Sequence, residues 1–139
     1  MTVLKHVLIV TDNDDFFELY ATVLAADAWK VTRLESANDI NGTPMSAALL
    51  DVVSDADWDR VRTVAVTGIP SIVVTGWWAP DRRYRERVSA AGAAAYILKP
   101  ASPLVVAAIV ERVAAGATGI DVVPRELEPG RDRRQRPRD

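Results

Sequence analysis

The chain has 139 residues, 49% of them hydrophobic, and a formal net charge of −2. That supports one ordinary hydrophobic core and gives too little charge to demand a polyanionic partner. The absence of cysteine excludes disulfides, thiol nucleophiles and Cys-ligated zinc.

In chain order, His6–Val10 is a short continuous apolar strand. Phe16–Ala26 follows, with Phe16, Tyr20, Val23 and Leu24 at helical spacing. The Asp/Asn cluster before it supplies N-cap oxygens, and Asp15 with Glu18 matches a capping box. Lys30–Leu34 is a second strand, and Ala47–Val53 a third, apolar enough to be buried on both faces. Ser36–Ser46 between them contains Asn-Gly and a proline, and predicts a short irregular helix or a loop.

Asp57–Val66 brings Trp58, Val61 and Ala65 onto one helical face, and Ser71–Thr75 is a fourth strand. The next helix has Pro80 near its first turn and Gly92 just past its end. "AAYIL" is the fifth strand, and a last helix starts at Ser102-Pro103 and stops at Gly116. From Ala117 the chain is rich in Arg, Pro, Asp and Glu. A folded domain over 1–116 and a disordered tail over 117–139 are therefore expected. Five arginines lie between Arg131 and Arg138, but acids are interspersed, so a solvated tail is preferred to a nucleic-acid contact. Met1–Lys5 leads directly into a strand with no signal-like apolar region. The longest apolar run, Leu104–Val110, is far short of the ~20 residues of a membrane span. A cytoplasmic location is expected.

Alternation of strand and helix predicts an open parallel sheet covered on both faces. Ligands bind such sheets beyond the carboxyl ends of the strands. The first strand ends at Thr11 and Asp12, the third carries Asp51 near its end, the fourth ends at Thr75 and the fifth at Lys99 before Pro100. Two carboxylates and a backbone carbonyl suit a hard cation such as Mg2+. One carboxylate can act as a nucleophile toward phosphorus, while a lysine and a hydroxyl stabilise the transferring group.

The stretches "VLIVTDN", "ALLDVV", "SIVVTG" and "AAYILKP", in this order and spacing, make residues 4–116 resemble the response-regulator receiver domains of two-component signalling. The resemblance implies a flavodoxin-like (βα)5 three-layer sandwich with a five-stranded parallel sheet in the order 2-1-3-4-5. It implies that Asp51 is the phosphoacceptor and that Mg2+ is held by Asp12, Asp51 and the backbone carbonyl of Val53. Thr75 and Lys99 would contact the acquired phosphoryl group, and Tyr96 would be a switch that turns inward with Thr75. The donor would be a phosphohistidine on a sensor histidine kinase or phosphotransfer protein. The output would be contact with a downstream protein or with a second copy, because no output domain follows. Such a domain catalyses only its own phosphorylation and dephosphorylation.

Several residues depart from the family pattern. Thr11 stands where the family has a first acid, which predicts weak Mg2+ binding. The usual proline and glycine after the phosphoacceptor are missing, with Asp55 at the proline position. The positions after Asp51 and Thr75 that tune hydrolysis hold Val53 and a tryptophan, which predicts a long-lived phosphoryl group. Asp14 and Asp15 are read as helix caps, and His6 as a structural or surface residue. Trp77 and Trp78, with Arg83 and Arg87 on the adjacent helix, either fold over the site or form a partner surface.

Two other functions compete. One is a pseudo-receiver that keeps the fold as an interaction module and is not phosphorylated. The other is a haloacid-dehalogenase-type phosphohydrolase with Asp12 as nucleophile and Asp14 as acid/base. It is disfavoured because no further acid ends a later strand.

Overall fold

The computed structural model describes residues 5–40, 42, 44–53, 57–76, 86, 90–99 and 101–122. The elements are β1 (His6–Val10), α1 (Asp14–Ala26), β2 (Lys30–Leu34), a 3₁₀ turn (Ala37–Asp39), β3 (Ala47–Val52), α2 (Trp58–Val66), β4 (Ser71–Thr75), β5 (Ala95–Leu98), α3 (Pro103–Ala114) and β6 (Ile120–Val122). Between β4 and β5, Glu86 and Ala90 are helical.

All strand pairs are parallel, and the sheet order is β2-β1-β3-β4-β5-β6. The order reverses direction at β1, so the crevice beyond the carboxyl ends of β1 and β3 is the topological switch point.

The interior strands β1, β3, β4 and β5 are buried along their whole length because both faces are covered, whereas the edge strands β2 and β6 carry polar, partly exposed residues. Side chains alternate across the sheet with period two. Val7, Ile9, Leu49, Ile72 and Ile97 face one way, into a core with Phe16, Tyr20 and Leu24 of α1 and Val106, Val110 and Val113 of α3. Leu8, Val10, Leu50, Val73 and Tyr96 face the other way, against Trp58, Val61 and Val64 of α2.

Local chemistry sets the helix ends. Asn13 is the N-cap of α1, its side chain accepting from the Phe16 N–H at 3.0 Å. The cap thus falls within the expected cluster, but on Asn13 rather than on Asp15. Ser102 caps α3, with Pro103 in its first turn, and Gly116 leaves it at φ +105°. The described residues of the weakly patterned segment 36–46 hold one 3₁₀ turn, capped by Ser36.

Two expectations are corrected. The sheet has six strands rather than five, and the ordered fold continues past residue 116. β6 pairs with β5, with Ala95 opposite Ile120 and Ile97 opposite Val122, and Ile120 is buried in the α1/α3 core. A three-residue strand is too short to show a period, and its apolar residues lie at the start of a strongly polar stretch. β3 also ends one residue early, at Val52. The tail from residue 123 lies outside the described residues.

Candidate functional site

Three polar side chains meet because their strands alternate in step. Ile9, Leu49 and Ile97 all face α1 and α3. Two residues further on, at the carboxyl ends, come Thr11, Asp51 and Lys99. Thr11 Oγ1 donates to Asp51 Oδ2 at 2.7 Å, and Lys99 Nζ donates to Asp51 Oδ1 at 2.9 Å. Asp51 is 2% exposed. A carboxylate so deep is costly without a cation and hydrogen-bond donors, and here the described residues supply a donor to each oxygen. Lys99 is steered by the ring of Phe16, 5.0 Å from its ammonium.

Thr11 is also buried, and its hydroxyl accepts from the Asn13 N–H at 3.0 Å. The end of β1, the α1 cap and Asp51 therefore form one hydrogen-bonded chain. Asp12, next in sequence, is exposed. Asp14 pairs with Arg33 at 2.9 Å, and Arg33 Nε donates to the Thr11 carbonyl at 3.3 Å while its guanidinium lies over Phe17.

The loop after β3 is clasped from α2. Arg60 Nη1 donates to the Asp51 backbone carbonyl at 2.7 Å, and the Val53 N–H donates to Asp57 Oδ2 at 2.8 Å. Val53 itself is 60% exposed. Sequence reasoning missed Arg33, Asp57 and Arg60. Asp57 and Arg60 sit three apart, which puts them on the same side of a helix start, but nothing in the sequence says that the start faces Asp51.

Thr75 is fully buried at the end of β4, beside Val52 of β3 and Leu98 of β5 in register. Strand alternation sets Thr75 in line with Val73, on the α2 side that Tyr96 shares. Tyr96 is 1% exposed, with its ring packed inward in that core. Tyr20, on the opposite face, donates to the Ala101 carbonyl at 3.3 Å. Burial, and then the negative charge of Asp51, hold its phenol above its usual pKa.

The oxygens of Asp12, Asp51 and the Val53 carbonyl are the hard donors that Mg2+ prefers. Among the described residues, no three His, Cys, Asp or Glu side chains gather as a metal centre would. Asp12 is exposed, and both Asp51 oxygens are already engaged by Thr11 and Lys99. Trp77, Trp78, Arg83 and Arg87, expected to form a partner surface, and Asp55 and Pro100 lie outside the described residues.

No protein-family model matches the chain, and no curated protein matches it in sequence. Solved structures do match. A CheY-like response regulator receiver domain protein from Methanospirillum hungatei JF-1 superposes with a TM-score of 0.70 at 23% identity, covering 81% of this chain and 94% of that one. The signal receiver domain of a signal transduction histidine kinase from Syntrophus aciditrophicus gives 0.68 at 22%, covering 81% and 91%. The chemotaxis response regulator CheY4 of Vibrio cholerae gives 0.68 at 18%, covering 79% and 98%. At these identities the likeness establishes the fold: this chain is built as CheY-like receiver domains are.

Proposed function

We propose that this domain is a signalling receiver that accepts a phosphoryl group on Asp51 from a phosphohistidine of a sensor histidine kinase or phosphotransfer protein. The observation that carries the reading is the buried Asp51 carboxylate, paired with Lys99 at 2.9 Å at the switch point of the sheet. An Asp51 oxygen attacks phosphorus, the P–N bond breaks, and its electron pair goes to the imidazole nitrogen, which takes up a proton. Lys99 offsets the charge on the transferring phosphoryl oxygens, and the Thr75 hydroxyl donates to one of them. Asp12, Asp51 and the Val53 carbonyl would hold Mg2+ weakly, and the ion would add positive charge at the same oxygens. The apolar Val53 cannot orient a hydrolytic water, so the phosphoryl group is long-lived. Output is by contact with a protein partner or a second copy, in the cytoplasm; among the described residues no helix is long and apolar enough to cross a membrane.

The test is incubation with a phosphorylated histidine donor, read by intact-mass spectrometry with Asp51→Asn as control. An adduct on the wild type alone supports the reading. No adduct with any donor favours the second reading, a pseudo-receiver that works by binding alone. That alternative draws on one observation: Thr11 stands in place of an acid and already engages Asp51.

A further inference from the structure

In a site with two acids at the end of β1, like charges would crowd Asp51, and a divalent cation would be needed to hold them together. Thr11 removes that need. Its oxygen accepts the Asn13 N–H at 3.0 Å, which leaves its proton directed at Asp51 Oδ2, 2.7 Å away. Thr11 is fully buried, so water does not compete for that hydrogen bond. Its carbonyl is held by Arg33, and its neighbour Asn13 is fixed as the cap of α1. The other oxygen, Oδ1, is drawn to Lys99. Asp51 is thus oriented from both sides by groups of the protein itself.

We propose that Thr11 is a positioning residue whose hydroxyl holds Asp51 Oδ2 in the place of a metal, so that Oδ1 accepts a phosphoryl group largely independently of divalent cation. Transfer needs no further reactant. Oδ1 attacks phosphorus, the P–N bond of the donor breaks with its electron pair leaving on nitrogen, and that nitrogen takes a proton from solvent. Lys99 follows the phosphoryl oxygens while Thr11 keeps Oδ2 in place. This inference rests on Asp51 being the acceptor.

The experiment is phosphorylation by phosphoramidate, a small P–N donor, followed by intact mass with either MgCl2 or a chelator. It is run on the wild type, Thr11→Asp, Thr11→Ser and Thr11→Val. Mg2+ affinity is measured separately by titrating amide NMR shifts. The wild-type rate is expected to change less than about threefold between Mg2+ and chelator, whereas Thr11→Asp gains a metal dependence of about tenfold or more and a correspondingly tighter Mg2+ site. Thr11→Ser retains the chelator-resistant rate, and Thr11→Val loses about tenfold of it.

Wild-type phosphorylation that collapses in chelator overturns the proposal and leaves Asp51 as acceptor. An adduct on Thr11→Asp but never on the wild type also overturns it, and makes the natural domain a pseudo-receiver. No adduct on either chain under any condition overturns the acceptor reading itself, and this proposal with it.

Discussion

Arg60 Nη1 donates to the backbone carbonyl oxygen of Asp51 at 2.7 Å, across the loop that joins β3 to α2. The same guanidinium lies 3.9 Å from Asp57, which accepts the Val53 N–H. Asp51 is therefore fixed at its backbone as well as at its side chain. Arg60→Ala should cost about 1 kcal/mol, the worth of one partly buried hydrogen bond. Urea denaturation reads the cost. Amide shifts should move chiefly around Val52, Val53 and Asp57, and shifts spread evenly over the sheet would contradict the clasp.

Lys99 is the cation beside a carboxylate that is almost fully buried. Among the described residues, Lys99→Met leaves the Asp51 carboxylate with the Thr11 hydroxyl as its hydrogen-bond donor. The Lys99 side chain is about one-third exposed, so water returns part of the loss, and the expected cost is ~1–3 kcal/mol. Adding Asp51→Asn removes the stranded charge and should restore most of it. Strict additivity of the two substitutions in a double-mutant cycle would show that the pair is not coupled.

Gly92 adopts φ +96°, and a Cβ there would lie 2.7 Å from the Cβ of Ala65 on α2. Both the backbone conformation and the close approach require glycine. Gly92→Ala should destabilise the fold by ~1–3 kcal/mol. An unchanged thermal midpoint would mean that α2 does not pack so closely there.

His6 is buried at the start of β1, with Nε2 2.7 Å from Thr32 Oγ1. Burial first, and the charge of Lys30 second, lower its pKa from 6.5. The unfolded chain therefore binds a proton on His6 at a higher pH than the folded one. Stability contributed by the neutral ring is intact above about pH 6.5 and is lost as pH falls through the folded value. The urea midpoint should drop between about pH 7 and pH 5. His6→Gln should flatten that part of the profile, and an equally steep drop in the variant would place the effect on other groups.

Ile120 is buried at the outer edge of the sheet. A chain ending after Gly116 should lose ~1–3 kcal/mol relative to one ending after Val122. The chain ending after Val122 should match the full-length protein in urea denaturation. Equal midpoints for both truncations would show that β6 adds nothing to the fold.

Much of this architecture is legible in the residues. β1, β2 and β4 begin and end where the sequence places them; β1 and β4 are apolar inside because both of their faces are buried. β6 is not legible, since three residues carry no period and depend on β5 for their pairing. Asp51 and Lys99 stand out as polar residues at the ends of buried strands, and alternation then brings them to one face. Arg60 and Asp57 do not stand out, because charged residues in a first helical turn are usually solvated.

The sequence by itself determined the parallel sheet, the two-sided core and the convergence of Asp51 and Lys99 on one rim, because hydrophobic period and strand ends are local properties. Only the tertiary structure decided what holds Asp51. The Thr11 hydroxyl, the Lys99 ammonium and the Arg60 guanidinium reach it from β1, the end of β5 and α2. Hydrogen bonds form between atoms ~3 Å apart, and which side chains come that close across 9 to 48 positions of sequence is set by packing alone.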